Sequence, residues 1–424
     1  MEQTKSVAFH TLGCKLNFSE TSAISRLMEK EGFEKKEFED LADIYVINTC
    51  SVTDNADKEC RHLVRRIQRK APQSLVVITG CYAQLKAEEI AAIPGVDLVL
   101  GAAEKFNIVL HIRELSKGDS TKICSCEIGE ITGFNASFSL NDRTRSFLKV
   151  QDGCDYNCSF CTIPMARGKS RSDTITNVLL NAEILAEKGV KEIVLTGVNL
   201  GDFGKGPEGD KTHGESFLDL IRALDTVDGI QRYRISSIEP NLLSDEIIEF
   251  VAGSKKFMPH FHIPLQSGSN NILRLMRRRY RSEHYAEKVN FIKSIMPHCA
   301  IGVDVIVGFP GETNEDFKIT VDFLHNLELS YFHVFTYSER DHTQALAIKP
   351  VVADSIRYER NKTLRNLSYM KQQYFTAQHS GQTRKVLFEG HNKNTMMDGY
   401  TDNYIKITTP LRQEWVNQVV AWQI

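Results

Sequence analysis

No stretch of this chain approaches the roughly 20 consecutive apolar residues that a helix needs to cross a bilayer. Its first residues, Met1-Glu2-Gln3-Thr4-Lys5, hold no hydrophobic segment of the kind that opens a secretory leader. A cytoplasmic protein with no membrane partner is therefore the expectation. An excess of either charge is missing too: the net charge is −2. That removes any global electrostatic case for nucleic acid, so such a contact has to rest on local basic patches. At 424 residues the chain is also too long for one ordinary core, and two or three domains are expected.

What is present is cysteine, ten in all. In a reducing compartment, clustered thiols more often bind metal than pair with one another. The densest group is Gly153-Cys154-Asp155-Tyr156-Asn157-Cys158-Ser159-Phe160-Cys161. Its CxxxCxxC spacing offers three thiolates on one short loop, enough to hold three irons of a cubane cluster and leave the fourth open. Zinc would require a fourth ligand and usually takes CxxC pairs. A chain of this length and cysteine content would match the spacing by accident only about 0.006 times, so unrelated buried cysteines are a weak explanation.

The first hundred residues alternate short apolar runs (Ser6–His10, Ile44–Asn48, Leu75–Thr79, Val96–Leu100) with amphipathic stretches. Strands separated by helices imply a parallel sheet. The first three runs are each followed closely by a cysteine: Leu12-Gly13-Cys14, Asn48-Thr49-Cys50 and Thr79-Gly80-Cys81. Ligands of parallel α/β sheets bind beyond the carboxyl ends of strands, where these three could converge. Burial in a core is the usual alternative for any one of them. Residues 117–142 read as a linker or peripheral hairpin carrying Cys124 and Cys126, two exposed spare thiols. A second series of six βα units, opening with Ser146–Val150, predicts an open, partial barrel. A charged helix near 353–375 leads to a tail whose alternating runs, with Gly390 and Asp398-Gly399 as turn signals, suit a small antiparallel β-barrel. The fold class is thus α/β: an N-terminal parallel α/β domain, a partial (βα)6 barrel and a small C-terminal antiparallel β-barrel.

With these features assembled, the chain resembles the radical S-adenosylmethionine (SAM) methylthiotransferases over nearly its whole length. The cluster loop carries the resemblance, together with Thr11-Leu12-Gly13-Cys14-Lys15-Leu16-Asn17, Pro164-Met165-Ala166-Arg167-Gly168-Lys169-Ser170-Arg171-Ser172, His262-Ile263-Pro264-Leu265-Gln266-Ser267-Gly268-Ser269 and Val307-Gly308-Phe309-Pro310-Gly311-Glu312. It implies an N-terminal methylthiotransferase domain over 1–120, a radical SAM domain over 140–375 and an RNA-binding TRAM domain over 376–424. Leu12–Lys15, Leu195–Gly201 and Ser236–Pro240 look like the branch known as MtaB, which acts on N6-threonylcarbamoyladenosine in tRNA. A departure falls in Tyr337–Thr343, where relatives place Gly at the position of His342.

The resemblance implies two 4Fe–4S clusters. Cys154, Cys158 and Cys161 would hold the one that binds and cleaves SAM to a 5′-deoxyadenosyl radical. Cys14, Cys50 and Cys81 would hold an auxiliary cluster whose sulfur, methylated by one SAM, is transferred to carbon 2 of the adenine after a second SAM supplies the radical. Reducing electrons would come from a donor such as flavodoxin or ferredoxin. Phe160 would pack near the adenine of SAM or merely pack the loop. Thr196, Ser237, Glu239 and Gln266 sit at predicted strand ends, where SAM-binding groups should gather or where they could serve as ordinary caps. The backbone of Val307 is a further SAM candidate.

The implied partner is the tRNA anticodon loop, whose bases are accessible without opening a helix. Candidate phosphate contacts are Arg65, Arg66 and Arg69 on one helical face, Arg277 and Arg278 in a denser basic run, and Lys406 in the tail. A solvated helix face is the alternative for both runs. Tyr400 and Tyr404 could serve RNA or fill the core of the tail. Competing functions are a sister methylthiotransferase acting on isopentenyladenosine or on a ribosomal-protein aspartate, and a non-catalytic iron–sulfur protein that binds RNA or senses redox state.

Overall fold

The computed structural model describes residues 4–50, 54–131, 133–141, 143–206, 214–391 and 395–424. The N-terminal part is a six-stranded sheet in the spatial order Glu34–Lys36, Ser6–Thr11, Ile44–Thr49, Leu75–Gly80, Leu98–Leu100, Lys122–Cys124. Every neighbouring pair is parallel. Both faces are covered, as a parallel sheet requires. Ala8, Tyr45, Ile47, Val76 and Ile78 pack on one side, and Val7, Ile44, Val46, Leu75 and Val77 on the other. The segment 117–142 is therefore more than a linker. Lys122–Cys124 closes this sheet's edge, and Ser137–Phe138 pairs antiparallel with Ser146–Lys149. Cys124 is half-buried, its Sγ 3.5 Å from His111 Nδ1. Strands of two or three residues carry too few side chains to show a period.

Six parallel strands then follow in series: Ser146–Lys149, Glu192–Thr196, Arg232–Ile235, His260–His262, Ala300–Val307 and Tyr331–Thr336. Single bridges Tyr233–Phe257 and Ser237–His262 join the third to the fourth. The first and last do not pair among the described residues, so the barrel is open. Outward positions such as Leu148, Ile193, Leu195, Tyr233, Phe261 and Val303 form the main core against the helices. The alternate positions place Lys149, Glu192, Arg234, His262 and Asp304 toward the lumen. The helix Lys15–Lys30 of the first domain packs on the strands Ser137–Phe138 and Ser146–Lys149 at the open side.

The tail forms a four-stranded antiparallel sheet in the order Lys406–Pro410, Met396–Thr401, Thr383–His391, Val419–Gln423. Its core is Val386, Phe388 and Met397, with Trp415 and Trp422. Gly399 and Gly390 are not turns but strand residues. A Cβ on Gly399 would meet Val386 Cγ1 at 2.6 Å, so glycine there permits close packing across the sheet. The module sits at the amino ends of the barrel strands. Arg232 donates to the carbonyls of Tyr400 (3.0 Å) and Lys385 (2.7 Å), and Arg234 to those of Asp402 (2.9 Å) and Thr401 (2.7 Å). No helix among the described residues is long and apolar enough to cross a membrane.

Candidate active site

Parallel pairing sets the carboxyl ends of three neighbouring strands side by side, with Thr11 opposite Asn48 and Thr49 opposite Gly80. Cys14, Cys50 and Cys81 stand just beyond those ends. Cys14 caps the helix Lys15–Lys30, and Cys81 opens the short helix Cys81–Leu85. A Cβ on Gly13 would lie 2.6 Å from Cys50 Cβ, so the first cysteine loop closes directly onto the second cysteine. Asn17 ties the loops by donating to the carbonyls of Leu12 (3.1 Å) and Thr49 (2.8 Å). Burial pushes the Cys81 thiol pKa up, Arg167 draws it down, and the neighbouring Cys14 raises it again. Three thiols thus stand at adjacent strand ends along one sheet edge, a donor set that suits an iron–sulfur cluster with one open iron.

The loop 154–161 carries its three half-buried cysteines, and the helix that follows it, Ile163–Arg167, packs on the helix that Cys81 opens. The Tyr156 and Ile163 amides donate to the Cys154 and Cys161 sulfurs, each at 3.4 Å, and Arg278 Nη1 donates to Cys158 Sγ at 3.2 Å. Burial pushes both Cys154 and Cys161 up to about 12, with like-charge repulsion from Cys158 adding to it. Iron held there would keep the coordinated thiols deprotonated despite their burial. The three thiols, with donors already aimed at the sulfurs, fit a cubane cluster.

A cavity of 210 Å³ opens beside Cys161, lined in part by Phe160, Gln266, Asp304, Ile306 and Ser338. Gln266 holds φ 70°, and its Oε1 is buried without a partner among the described residues, as is Ser338 Oγ. Buried polar atoms of this kind usually mark a missing partner, and these two fit the polar groups of SAM. Phe160 packs edge-on to Phe309, with ring centroids 6.2 Å apart, and forms one wall. The other four cofactor candidates do not line this cavity. Thr196 Oγ1 donates to the Val194 carbonyl at 3.0 Å, Ser237 forms the backbone bridge to His262, and Glu239 forms an ion pair with Arg278. The Val307 carbonyl accepts from the Tyr337 amide at 2.9 Å.

Expectations for RNA contacts divide. Arg65 and Arg69 are exposed on the helix Asp54–Lys70, with Leu63, Val64 and Ile67 turned to the core. Arg66 pairs with Glu39 at 2.9 Å. Arg277 is exposed, and Lys406 is half-exposed with Asp398 at 3.0 Å. Arg278 is a correction: its side chain is only 4% exposed and turns inward to Cys158 and Glu239. Tyr400 and Tyr404 follow the packing alternative given for them. They stack on each other at 4.9 Å, and Tyr404 stacks on His260 at 4.3 Å, so both rings pack against the amino end of the barrel. His342 adopts φ 64°, the left-handed conformation a glycine would take there.

Several residues escaped the sequence. His262 Nε2 and His333 Nδ1 lie 3.0 and 3.1 Å from the same Asp304 oxygen, within the lumen. Burial alone would raise the Asp304 carboxyl, but the two histidines hold it well below the usual range. A lone acid in the apolar strand Ala300–Val307 is the signal that was available. Arg167 joins the two cysteine sites. It reaches Asp152 at 2.9 Å and Glu20 at 3.2 Å, and it also donates to Asn17. The helix Ile163–Arg167 that carries it packs on Cys81–Leu85.

Comparison with known proteins agrees with this arrangement. The model described as "Uncharacterized protein family UPF0004" matches residues 6–101, and the Radical SAM superfamily model matches 148–324. The threonylcarbamoyladenosine tRNA methylthiotransferase MtaB of Bacillus subtilis is 40% identical, covering 99% of this chain and 93% of that protein. The MtaB of Aquifex aeolicus is also 40% identical, over 95% and 96%. Among solved structures, the radical SAM methyltransferase TsrM of Kitasatospora setae aligns with TM-score 0.55 at 14% identity, covering 79% of this chain and 75% of that one. That level of identity shows the fold alone. Radical SAM enzymes use a 4Fe–4S cluster with SAM, and the cysteine sets and the relatives place this chain in one group: it belongs to the radical SAM methylthiotransferase family, in its MtaB branch.

Proposed function

We propose that this enzyme adds a methylthio group to carbon 2 of N6-threonylcarbamoyladenosine beside the anticodon of tRNA. The carrying observation is the alignment of Cys14, Cys50 and Cys81 at three adjacent strand ends, coupled through Arg167 to the loop of Cys154, Cys158 and Cys161. The first set holds the auxiliary cluster and the second the radical-generating one. Bound there, the clusters and SAM supply a one-electron cleavage, a methyl group and the transferred sulfur.

The chain's own residues organise that chemistry. Arg278 directs an N–H at Cys158 Sγ, with Glu239 holding its guanidinium in place. Gln266, Ser338 and Phe160 bind and orient SAM beside Cys161. The tail module closes the amino end of the barrel with Tyr404 and keeps water from that side of the lumen. Arg65, Arg69 and Arg277 contact tRNA phosphates, and electrons come from a donor such as flavodoxin or ferredoxin in the cytoplasm.

The test is nucleoside mass spectrometry of tRNA incubated with reconstituted enzyme, SAM and reductant. A 2-methylthio group on threonylcarbamoyladenosine supports the proposal. Product only on isopentenyladenosine or on a ribosomal-protein aspartate moves the enzyme to a sister branch, and SAM cleavage absent under reduction rejects an enzymatic role.

A further inference from the structure

A cavity of 230 Å³ lies between the first cysteine loop, the barrel lumen and the tail, lined by Cys14, Lys15, Arg143, Arg145, Arg234 and Tyr404 among others. Four of these residues are cations, and their partners differ. Arg234 pairs with Glu192 at 2.7 Å, and Arg145 with Glu389 at 2.6 Å. Lys15 and Arg143 have no carboxylate partner among the described residues. Arg143 is held by its guanidinium lying 4.5 Å over the Phe18 ring, which leaves its N–H groups available. Lys15 is the first residue of the helix Lys15–Lys30, whose cap makes no side-chain hydrogen bond and whose first turn holds no acid. The helix end therefore adds positive potential to that of the two cations. The Asp304 carboxylate offsets part of that field at Lys15, without forming an ion pair with it among the described residues.

We propose that Lys15 and Arg143 form a carboxylate-binding subsite that takes the threonyl carboxylate of the substrate adenosine and so selects it over a prenylated one. The inference rests on the proposed function. Lys15 follows directly on Cys14, one of the residues assigned to the cluster that supplies sulfur to carbon 2. The N6 substituent belongs to the same ring, so its carboxylate enters the space next to Cys14 while carbon 2 is addressed. A buried carboxylate needs a charged or hydrogen-bonding partner. A prenyl group offers none, and placing it here would cover two exposed cations, Lys15 and Arg143, with hydrocarbon. A site built to bind a polar group rejects the analogue lacking it far more sharply than an apolar pocket rejects extra atoms.

The test measures binding of anticodon stem-loop RNA by fluorescence anisotropy with the full-length, cluster-loaded enzyme. Three RNAs are compared: one carrying threonylcarbamoyladenosine, one carrying its methyl ester, and one with unmodified adenosine. Wild type should prefer the free acid over the ester by about tenfold, as expected for one charge-assisted contact. Lys15→Gln and Arg143→Gln should each shrink that gap to about twofold, with binding of unmodified RNA and iron content unchanged. Lys15→Arg, which keeps the charge, should preserve it. An undiminished gap in both glutamine variants overturns the subsite, as does a wild type that binds acid and ester equally. If wild type still methylthiolates threonylcarbamoyladenosine in those cases, only the subsite fails. Methylthiolation of prenylated RNA in its place overturns the subsite and the proposed function together.

Discussion

Arg167 and Glu20 meet at 3.2 Å, both buried, although 147 residues separate them. Glu20 lies on the helix that Cys14 caps, and Arg167 lies on the helix that follows Cys161. Lys105 (2.7 Å) and Lys149 (3.2 Å) also pair with Glu20, and Asp152 pairs with Arg167. The two cysteine sites therefore share one internal ionic cluster.

Breaking that cluster should be costly. Arg167→Met should lower stability at pH 7 by about 1–3 kcal/mol, because Glu20, Asp152 and Asn17 lose a buried donor while Lys105, Lys149 and Arg171 still pair with the two carboxylates. Burial alone would raise the Glu20 carboxyl, but Arg167, Lys105 and Lys149 outweigh it and hold it well below the usual range; Asp152 behaves alike. A carboxyl with a depressed folded pKa stabilises above its unfolded value and loses that contribution as pH falls toward the folded one. Wild type should therefore lose stability from about pH 5 downward, and Arg167→Met should lose less over the same interval. Denaturant titrations at stepped pH measure both.

The cysteine sets should separate functionally. Cys14→Ala or Cys81→Ala should halve the iron content, roughly, keep reductive SAM cleavage and abolish methylthiolation. Cys158→Ala should abolish cleavage itself. Iron assay, 5′-deoxyadenosine quantification and nucleoside mass spectrometry distinguish the two patterns. Product formation by reconstituted Cys14→Ala would reject the auxiliary assignment.

Gln266 offers a sharper probe of the SAM cavity. Its Oε1 has no partner among the described residues, so Gln266→Ala removes little from the protein itself. SAM affinity should fall about tenfold, the value of one hydrogen bond to a charged group. Equilibrium dialysis against the cluster-loaded variant reads this directly, with unchanged thermal unfolding as the control for structure.

Inward and outward arginines should respond differently to salt. Arg65→Ala and Arg69→Ala should each weaken tRNA binding and reduce the slope of log K against log salt by about 1. Arg278→Ala should leave the slope unchanged but shift the cluster's midpoint potential downward, since the Cys158 sulfur loses a cationic N–H donor. Filter binding across salt concentrations and redox titration test the pair. A reduced slope in Arg278→Ala would contradict its burial.

The cysteine loop, the parallel sheet and the six βα units were legible in the chain because each depends on local spacing. Three thiols within eight residues, or an apolar run ending at a cysteine, say the same thing in any surroundings. The tail was partly legible: its alternation pointed to strands, but Gly399 read as a turn because glycine in a turn and glycine under a neighbouring side chain look alike in sequence. Direction was beyond local reading. Arg277 and Arg278 are adjacent and chemically identical, yet one faces solvent and the other a cysteine sulfur. Tyr404 packs against the amino end of the barrel because Arg232 and Arg234, some 170 residues earlier in sequence, hold its loop by the backbone. Sequence by itself determined which residues can carry the chemistry. Tertiary structure alone decided which of them meet, because buried charges and stacked rings choose partners by distance in space, and distance along the chain does not record it.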